Sequence, residues 1–179
     1  MNPSAPIALV GMRCSGKTTI GRLLAERLER PFHDLDDEVV RFGGFSGFES
    51  GGAGALIDQV GWARFRDLEA NTLKKLIEPM PVIVLATGGG VVERADNRAW
   101  LQRATRAFYL DVPVELLQMR LEKDATHRPA LTAGADPKAE MPKVARTRGP
   151  LYRAVAERIE CFDQEPAAIA DRILARIGE

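Results

Sequence analysis

The stretch that decides the fold runs from residue 7 to residue 18 and has the sequence IALVGMRCSGKT. Its first four residues form a short uninterrupted apolar run, which is typical of a parallel strand buried on both faces. The next eight residues match the pattern G-x-x-x-x-G-K-S/T, with its fixed positions at Gly11, Gly16, Lys17 and Thr18. Apolar residues then recur at helical spacing from Thr18 to Arg30. Strand, loop and helix follow one another as a phosphate-binding P-loop requires.

A loop of this kind binds phosphate groups. Glycines let backbone N–H groups curl around a phosphate, and the following helix adds the positive end of its dipole. We expect Lys17 to reach the β- and γ-phosphates of ATP and to act in catalysis, and Thr18 to offer its hydroxyl to Mg²⁺. The expected ATP contacts are Gly11, Met12, Arg13, Cys14, Ser15, Gly16, Lys17, Thr18 and Thr19. The alternative, an accidental glycine turn, is disfavoured by the flanking strand and helix.

Length and composition indicate one domain spanning residues 1–179. Apolar residues make up 45% of the chain and charged residues 28%, enough to bury a core. Basic and acidic residues number 25 each, so no net field attracts nucleic acid or an anionic membrane. The sequence has no run of about twenty apolar residues and no signal-peptide pattern. We therefore expect a cytoplasmic protein, with Cys14 and Cys161 as reduced thiols; packing is favoured over a redox role for Cys14.

The rest of the chain alternates strands with helices. Further strands are predicted at 32–36, 82–86, 107–110 and 158–162, and helices at 37–42, 55–77 (one or two), 97–103, 114–122, 144–156 and 166–177. The segment 43–54 has six glycines in twelve positions and is predicted to be a loop. The segment 124–143, rich in Pro, Ala, Gly and charge, is predicted to be a mobile excursion. The alternation predicts an α/β fold in which helices cover a parallel sheet.

Four clusters beyond the P-loop are candidates for an acceptor site. Asp34 and Asp36, two residues apart on a predicted strand, should point to one side, facing the ligand crevice. Arg66 should pair with Glu69 one helical turn later. The other two clusters are the triple glycine at 88–90, where bare backbone can approach a ligand, and the arginines Arg128 and Arg148. Arginine suits a planar carboxylate and the charge on a transferring phosphoryl group.

Together these segments resemble the shikimate kinase family over nearly the whole chain. The resemblance rests on GMRCSGKT, HDLDDE, GWARFRDLE, TGGGVV, HRPAL, RTRGPLY and CFDQEP, in this order. It implies a P-loop kinase of the nucleoside-monophosphate-kinase type, with three α/β/α layers and a five-stranded parallel sheet. It also implies a helical substrate-binding region at about 34–70 and a lid at about 124–143. The implied reaction transfers the γ-phosphoryl group of ATP to the 3-hydroxyl of shikimate, in aromatic amino-acid biosynthesis.

The resemblance also implies roles for particular residues. Thr18 and Asp34 would be the magnesium residues, and Asp36 would bind the shikimate hydroxyls and accept the proton. Arg66 and Arg148 would clamp the shikimate carboxylate. The remaining implied contacts are Gly88, Gly89 and Gly90 beside shikimate, Arg128 closing over the phosphates as a catalytic lid residue, and Arg120 stacking on adenine. Mg²⁺ is the expected cofactor, ATP and shikimate are the expected small-molecule partners, and a monomer is expected.

The chain departs from the family pattern at one place, and two alternatives stay open. Between Asp36 and Arg66 it is several residues longer than usual, with the extra length in 43–54, so the shape of the acceptor pocket is open. One alternative is another small-molecule kinase, of the gluconate or nucleotide type, which would need a different clamp. The other is a ligand-sensing module without catalysis. That role predicts an attached DNA-binding segment or loss of the two carboxylates, and we expect neither, since Asp34 and Asp36 are retained.

Overall fold

Five parallel strands form the central layer, and helices flank them. The computed structural model describes residues 5–42, 52–79, 81–124, 129–131, 136–162 and 164–178. The strands are β1 (Ile7–Val10), β2 (Phe32–Asp34), β3 (Val84–Ala86), β4 (Arg106–Asp111) and β5 (Glu157–Glu160). Their order in the sheet is β2-β3-β1-β4-β5, and every pairing is parallel. The predicted α/β fold with a five-stranded parallel sheet is confirmed.

Helices connect the strands. They are α1 (Lys17–Arg27), α2 (Leu35–Phe42), α3 (Gly52–Ile77), α4 (Ala95–Ala104), α5 (Val114–Lys123), α6 (Pro137–Val155) and α7 (Pro166–Gly178), with a short 3₁₀ turn at Val91–Glu93. Gly61, with φ 77° and ψ 161°, divides α3 into two helical pieces. The middle strands β1 and β3 are buried along their whole length. In the described part of the chain, no helix is both long and apolar enough to cross a membrane.

The register of the sheet positions the site. Leu9 of β1 lies opposite Ala86 of β3, and Ala86 lies opposite Asp34 of β2. These three strands therefore end at the same level, and the segments that follow them leave from one edge of the sheet. The P-loop after β1, the triple glycine after β3 and the carboxylates at the end of β2 meet at this edge.

The prediction that Asp34, Leu35 and Asp36 end a strand is wrong for two of the three residues. Strand β2 ends at Asp34, and α2 begins at Leu35. The Asp34 carboxylate accepts a hydrogen bond from the Asp36 backbone N–H at 3.1 Å. An aspartate in this position caps a helix and satisfies one of its free N–H groups. The helix therefore begins two residues earlier than the predicted start at residue 37.

Two predicted irregular segments are partly helical. Gly52–Gly54 begin α3, while 43–51 lie outside the described residues. In the predicted lid, 137–143 belong to α6, which begins earlier than the predicted 144. The Asp136 side chain accepts a hydrogen bond from the Lys138 N–H at 2.9 Å, and Pro137 occupies the first helical turn, where its missing N–H costs nothing. Here the composition suggested a mobile segment, but the cap starts a helix.

Candidate active site

The P-loop curves through three residues with positive φ angles, two of which are glycines. Gly11, Cys14 and Gly16 have positive φ angles of 150°, 62° and 90°. A Cβ at Gly11 would lie 2.9 Å from the carbonyl oxygen of Leu110, so only glycine fits without displacement. Gly16 precedes α1, whose first residue is Lys17. The loop therefore directs backbone N–H groups and a helix N-terminus toward one pocket, which suits a phosphate.

Lys17 lies folded over this loop and is only 9% exposed. Its Nζ donates hydrogen bonds to the carbonyl oxygens of Gly11 and Met12, at 3.1 and 2.8 Å. The same ammonium group lies 3.4 Å from Ser15 Oγ. Lys17 therefore holds a positive charge within the loop, where it can contact the phosphates that the N–H groups bind.

The two predicted metal residues are in contact. The Thr18 hydroxyl donates a hydrogen bond to the Asp34 carboxylate at 2.7 Å. Mg²⁺ in phosphate sites binds one or two protein oxygens and completes its shell with water and phosphate oxygens. A hydroxyl and a carboxylate at the end of the P-loop fit that requirement. Among the described residues, no group of three or more His, Cys, Asp or Glu side chains could hold a metal ion.

The pocket formed by the P-loop, called the nucleotide pocket below, is also lined by Arg120 of α5 and by Asp124, which follows that helix. Arg120 donates a hydrogen bond to the Cys14 carbonyl oxygen at 3.3 Å, and Cys14 Sγ lies 3.8 Å from Asp124 Oδ2. Thr19 also lines this pocket. The structure therefore brings Arg120 to the P-loop, although the two are more than 100 residues apart in the sequence.

A second pocket opens directly beside the nucleotide pocket. Both pockets are lined by Arg13, Asp34, Asp36 and Gly89. The second pocket is lined further by the triple glycine, by Arg66 and Arg148, and by apolar side chains that include Trp62 and Phe65. A molecule in it would thus face two guanidinium groups, with the P-loop on its other side. The shared wall lets a group in one pocket reach a phosphate in the other.

Arg66 is held by a buried carboxylate. Its Nη1 donates to both carboxylate oxygens of Glu69 at 3.0 Å, as the one-turn spacing predicts. The Glu69 side chain is 0% exposed. Burial is the main cause that raises the pKa of Glu69 from 4.5 to about 7, against the lowering effect of the Arg66 charge. The guanidinium also lies 4.8 Å from the ring of Trp62.

The triple glycine is explained by what contacts it. A Cβ at Gly90 would lie 2.0 Å from Arg66 Nη2, so the guanidinium lies directly against this residue. A Cβ at Gly88 would lie 2.5 Å from Glu69 Oε1 and 2.7 Å from Asp36 Oδ1. Side chains at these positions would displace the polar groups of the pocket. The glycines thus allow arginine and carboxylates to approach the end of β3.

Arg148 reaches the same pocket from α6 and is 4% exposed. Its Nη1 donates to the Gly89 carbonyl oxygen at 3.2 Å. Its Nε and Nη2 donate to Oε1 of Glu93, at 3.0 and 2.8 Å. The hydroxyl of Tyr152, one turn further along α6, also donates to the Gly89 carbonyl oxygen. Arg66 and Arg148 therefore both contact the triple glycine, at Gly90 and Gly89 respectively.

Residues 129–131 cover part of the second pocket. The Trp62 indole N–H donates to the Ala130 carbonyl oxygen at 2.9 Å, and Arg13 donates to the Pro129 carbonyl oxygen at 3.4 Å. The Leu131 N–H donates to the Glu140 carboxylate at 2.9 Å. Side chains from the P-loop, α3 and α6 thus hold the backbone of this segment over the pocket.

Comparison with known proteins agrees with this geometry. The chain matches the family model for shikimate kinase over residues 13–178. It belongs to the shikimate kinase family. The shikimate kinase of Nitratidesulfovibrio vulgaris is 39% identical over 176 residues, which cover 96% of this chain and 95% of that protein. The shikimate kinase of Oleidesulfovibrio alaskensis is 40% identical over 170 residues, with 94% of each chain covered.

The fold of this chain is similar to those of solved shikimate kinase structures. Shikimate kinase from Acinetobacter baumannii, in complex with shikimate, has a TM-score of 0.85 and 36% identity, covering 97% of this chain and 92% of that one. Shikimate kinase from Aquifex aeolicus has a TM-score of 0.75 and 29% identity, covering 97% and 96%. A gluconokinase from Sinorhizobium meliloti has a TM-score of 0.63 at 16% identity, with coverage of 99% and 94%, and shares the fold.

Most of the residues that meet in this site were predicted from the family resemblance. The structure brings the predicted substrate residues Asp36, Arg66 and Arg148 and the triple glycine to one pocket. It brings the P-loop, Arg120 and the pair Thr18 and Asp34 to the other. The predicted lid residue Arg128 lies outside the described residues. The site therefore assembles from segments of this shikimate kinase family member that are distant in sequence.

Three residues of the site were not singled out by sequence reasoning. Glu93 contacts both pocket arginines, at 3.3 Å from Arg66 and 2.8 Å from Arg148. Tyr152 supports Gly89, and Trp62 contacts the covering segment. Tyr152 and Trp62 do lie inside segments that carry the family resemblance, so that signal was available. Glu93 follows TGGGVV directly and has no periodicity or spacing that marks it.

Proposed function

We propose that this chain is a shikimate kinase that converts ATP and shikimate to ADP and shikimate 3-phosphate, within aromatic amino-acid biosynthesis. One observation carries the proposal: a pocket with two guanidinium groups opens into a P-loop pocket through a shared wall that includes Asp36 and Gly89. Shikimate has one carboxylate and three hydroxyls, and guanidinium groups are suited to bind a carboxylate in a plane. Membership of the family supports the same reaction.

The P-loop pocket is proposed to bind ATP. Its N–H groups and Lys17 would hold the β- and γ-phosphates and offset the charge that spreads over the transferring group. Arg120 would lie against the adenine. Mg²⁺ would be held by Thr18 and Asp34, whose oxygens are 2.7 Å apart, and when bound it supplies charge stabilisation to the phosphates. This donor set is small, as expected where phosphate provides other ligands.

The second pocket is proposed to bind shikimate with its carboxylate on Arg66 and Arg148. Its 3-hydroxyl then lies toward the P-loop, beside Asp36. The hydroxyl oxygen attacks the γ-phosphorus, the bond from that phosphorus to the bridging oxygen of ADP breaks, and Asp36 accepts the hydroxyl proton. Positioning and charge stabilisation account for most of such catalysis, so the placement of shikimate beside Gly89 matters as much as any proton transfer.

The proposed lid closes over both pockets during the reaction. On the family resemblance we assign Arg128 the closing contact with the phosphates, and the adjacent Pro129 lines the substrate pocket beside them; such closure excludes water that would hydrolyse ATP. We propose the lid at about 124–143, of which residues 137–143 form the start of α6. We further propose one domain over 1–179 with the substrate-binding region at about 34–70, acting as a monomer in the cytoplasm, where ATP is available.

The proposal is tested by measuring ADP release with shikimate, gluconate, nucleoside monophosphates or no acceptor. Shikimate should stimulate ADP release, and a rate equal to that without acceptor would refute the proposal. Arg66→Ala and Arg148→Ala should raise the KM for shikimate about tenfold or more while leaving the KM for ATP nearly unchanged. The matched control is Arg64→Ala, which removes an exposed arginine from the same helix. Equal losses for both substrates would contradict the carboxylate assignment.

A further inference from the structure

Glu93 connects the two arginines assigned to the substrate carboxylate. It is the last residue of the 3₁₀ turn that follows the triple glycine. Oε1 lies 2.8 Å from Arg148 Nη2 and 3.0 Å from Arg148 Nε. Oε2 lies 3.3 Å from Arg66 Nε. One carboxylate thus bridges both guanidinium groups, which is the arrangement that the proposed function gives to the carboxylate of shikimate.

The donor groups of the two arginines are largely engaged by this arrangement. Arg66 uses Nη1 for Glu69 and Nε for Glu93. Arg148 uses Nη1 for Gly89, and Nε and Nη2 for Glu93. The Glu93 carboxylate also offsets part of the positive charge of the two arginines. An incoming carboxylate therefore meets less net positive charge while Glu93 remains on both arginines.

Glu69 and Glu93 differ in how easily each side chain can separate from its arginine partner. The Glu69 side chain is 0% exposed, whereas the Glu93 side chain is 41% exposed. A buried carboxylate that loses its partner is strongly disfavoured, but a half-exposed one can be solvated by water. The Glu93 backbone is fixed separately, since its N–H donates to Gly90 and its carbonyl oxygen accepts from Arg98, both at 3.0 Å. Rotation of the side chain alone would release both arginines.

We propose that Glu93 is an internal carboxylate that holds the place of the substrate carboxylate on Arg66 and Arg148 and is displaced when the substrate binds. This inference rests on the proposed function. Glu93 keeps the two guanidinium groups oriented, and it lowers the affinity for any ligand that must replace it. A ligand with a carboxylate replaces the contacts that Glu93 gives up, whereas a neutral ligand does not. Glu93 thereby contributes to selection of acidic substrates.

The test compares Glu93→Gln with the wild-type enzyme. Glutamine has nearly the same shape but no charge, so it should compete less well with the substrate carboxylate. We expect the KM for shikimate to fall about three- to tenfold in Glu93→Gln, with the KM for ATP unchanged. The methyl ester of shikimate, which lacks the anionic group, should gain less affinity in the variant than shikimate does. Glu157→Gln, which changes a partly exposed, ion-paired glutamate at β5, should leave both KM values unchanged.

The outcomes separate this inference from the function on which it rests. Shikimate turnover by the wild-type enzyme tests the proposed function alone, and an inactive wild-type enzyme would overturn both. With an active wild-type enzyme, an unchanged or raised shikimate KM in Glu93→Gln would overturn the inference and leave the function standing. A raised KM in both Glu93→Gln and Glu93→Ala would identify Glu93 as a fixed support for the arginines instead. Equal gains for shikimate and its ester would also overturn it.

Discussion

The stability of this protein should depend on pH through Glu69. Its carboxyl group is buried beneath Arg66, and burial raises its pKa from 4.5 to about 7. In the unfolded chain the same group ionises near its ordinary value. Between pH 4.5 and about 7, the folded protein therefore holds a proton that the unfolded chain has released. The stability that this group contributes is complete below about pH 4.5 and is lost as the pH rises to about 7.

The size of this effect follows from the two pKa values. Each pH unit between 4.5 and about 7 corresponds to about 1.36 kcal/mol, which limits the loss to roughly 3 kcal/mol of unfolding free energy. Glu69→Gln removes the titrating group but keeps an oxygen that can accept from Arg66. From pH 5 to pH 8, the unfolding free energy of the variant should therefore gain roughly 2 to 3 kcal/mol relative to that of the wild-type protein.

Urea unfolding, followed by circular dichroism between pH 5 and pH 8, measures this difference. Only the comparison of the two proteins is used, because other groups titrate in both. Glu78→Gln, at a glutamate side chain that is 57% exposed, provides the control and should follow the wild-type protein throughout. If the free-energy difference between Glu69→Gln and wild type stays constant within about 0.5 kcal/mol over this range, burial does not control the ionisation of Glu69 and the reasoning fails.

Two further predictions concern the substrate pocket. Gly90→Ala should displace the Arg66 guanidinium, since a Cβ would lie 2.0 Å from Nη2. The variant should therefore have a raised KM for shikimate and an unchanged KM for ATP in steady-state kinetics. The control is Gly178→Ala, where a Cβ meets nothing within 4 Å. Trp62 lines the substrate pocket, so added shikimate should change the fluorescence of Trp100→Phe but not that of Trp62→Phe. A shikimate-dependent signal in Trp62→Phe would contradict this placement.

Local chemistry explains which parts of the fold could be predicted from the sequence. The apolar run at 7–10 and the glycines of the P-loop act within a few residues, so the strand, the loop and the start of α1 were predicted closely. Element ends were less accurate where a cap decided them. Asp34 and Asp136 each accept a hydrogen bond from a backbone N–H two residues later. Both start helices inside segments that alternation or composition had assigned otherwise.

The sequence by itself determined the P-loop at 11–18 and its chemistry of nucleotide binding. Loop, lysine and threonine are contiguous, and their chemistry needs no distant partner. The acceptor pocket is different, because its residues come from α2, α3, the end of β3 and α6. The family resemblance could name Arg66 and Arg148, but only the folded chain places Glu93 against both of them. Contacts between distant segments depend on how the strands are ordered and end at one edge of the sheet, and no local pattern carries that information.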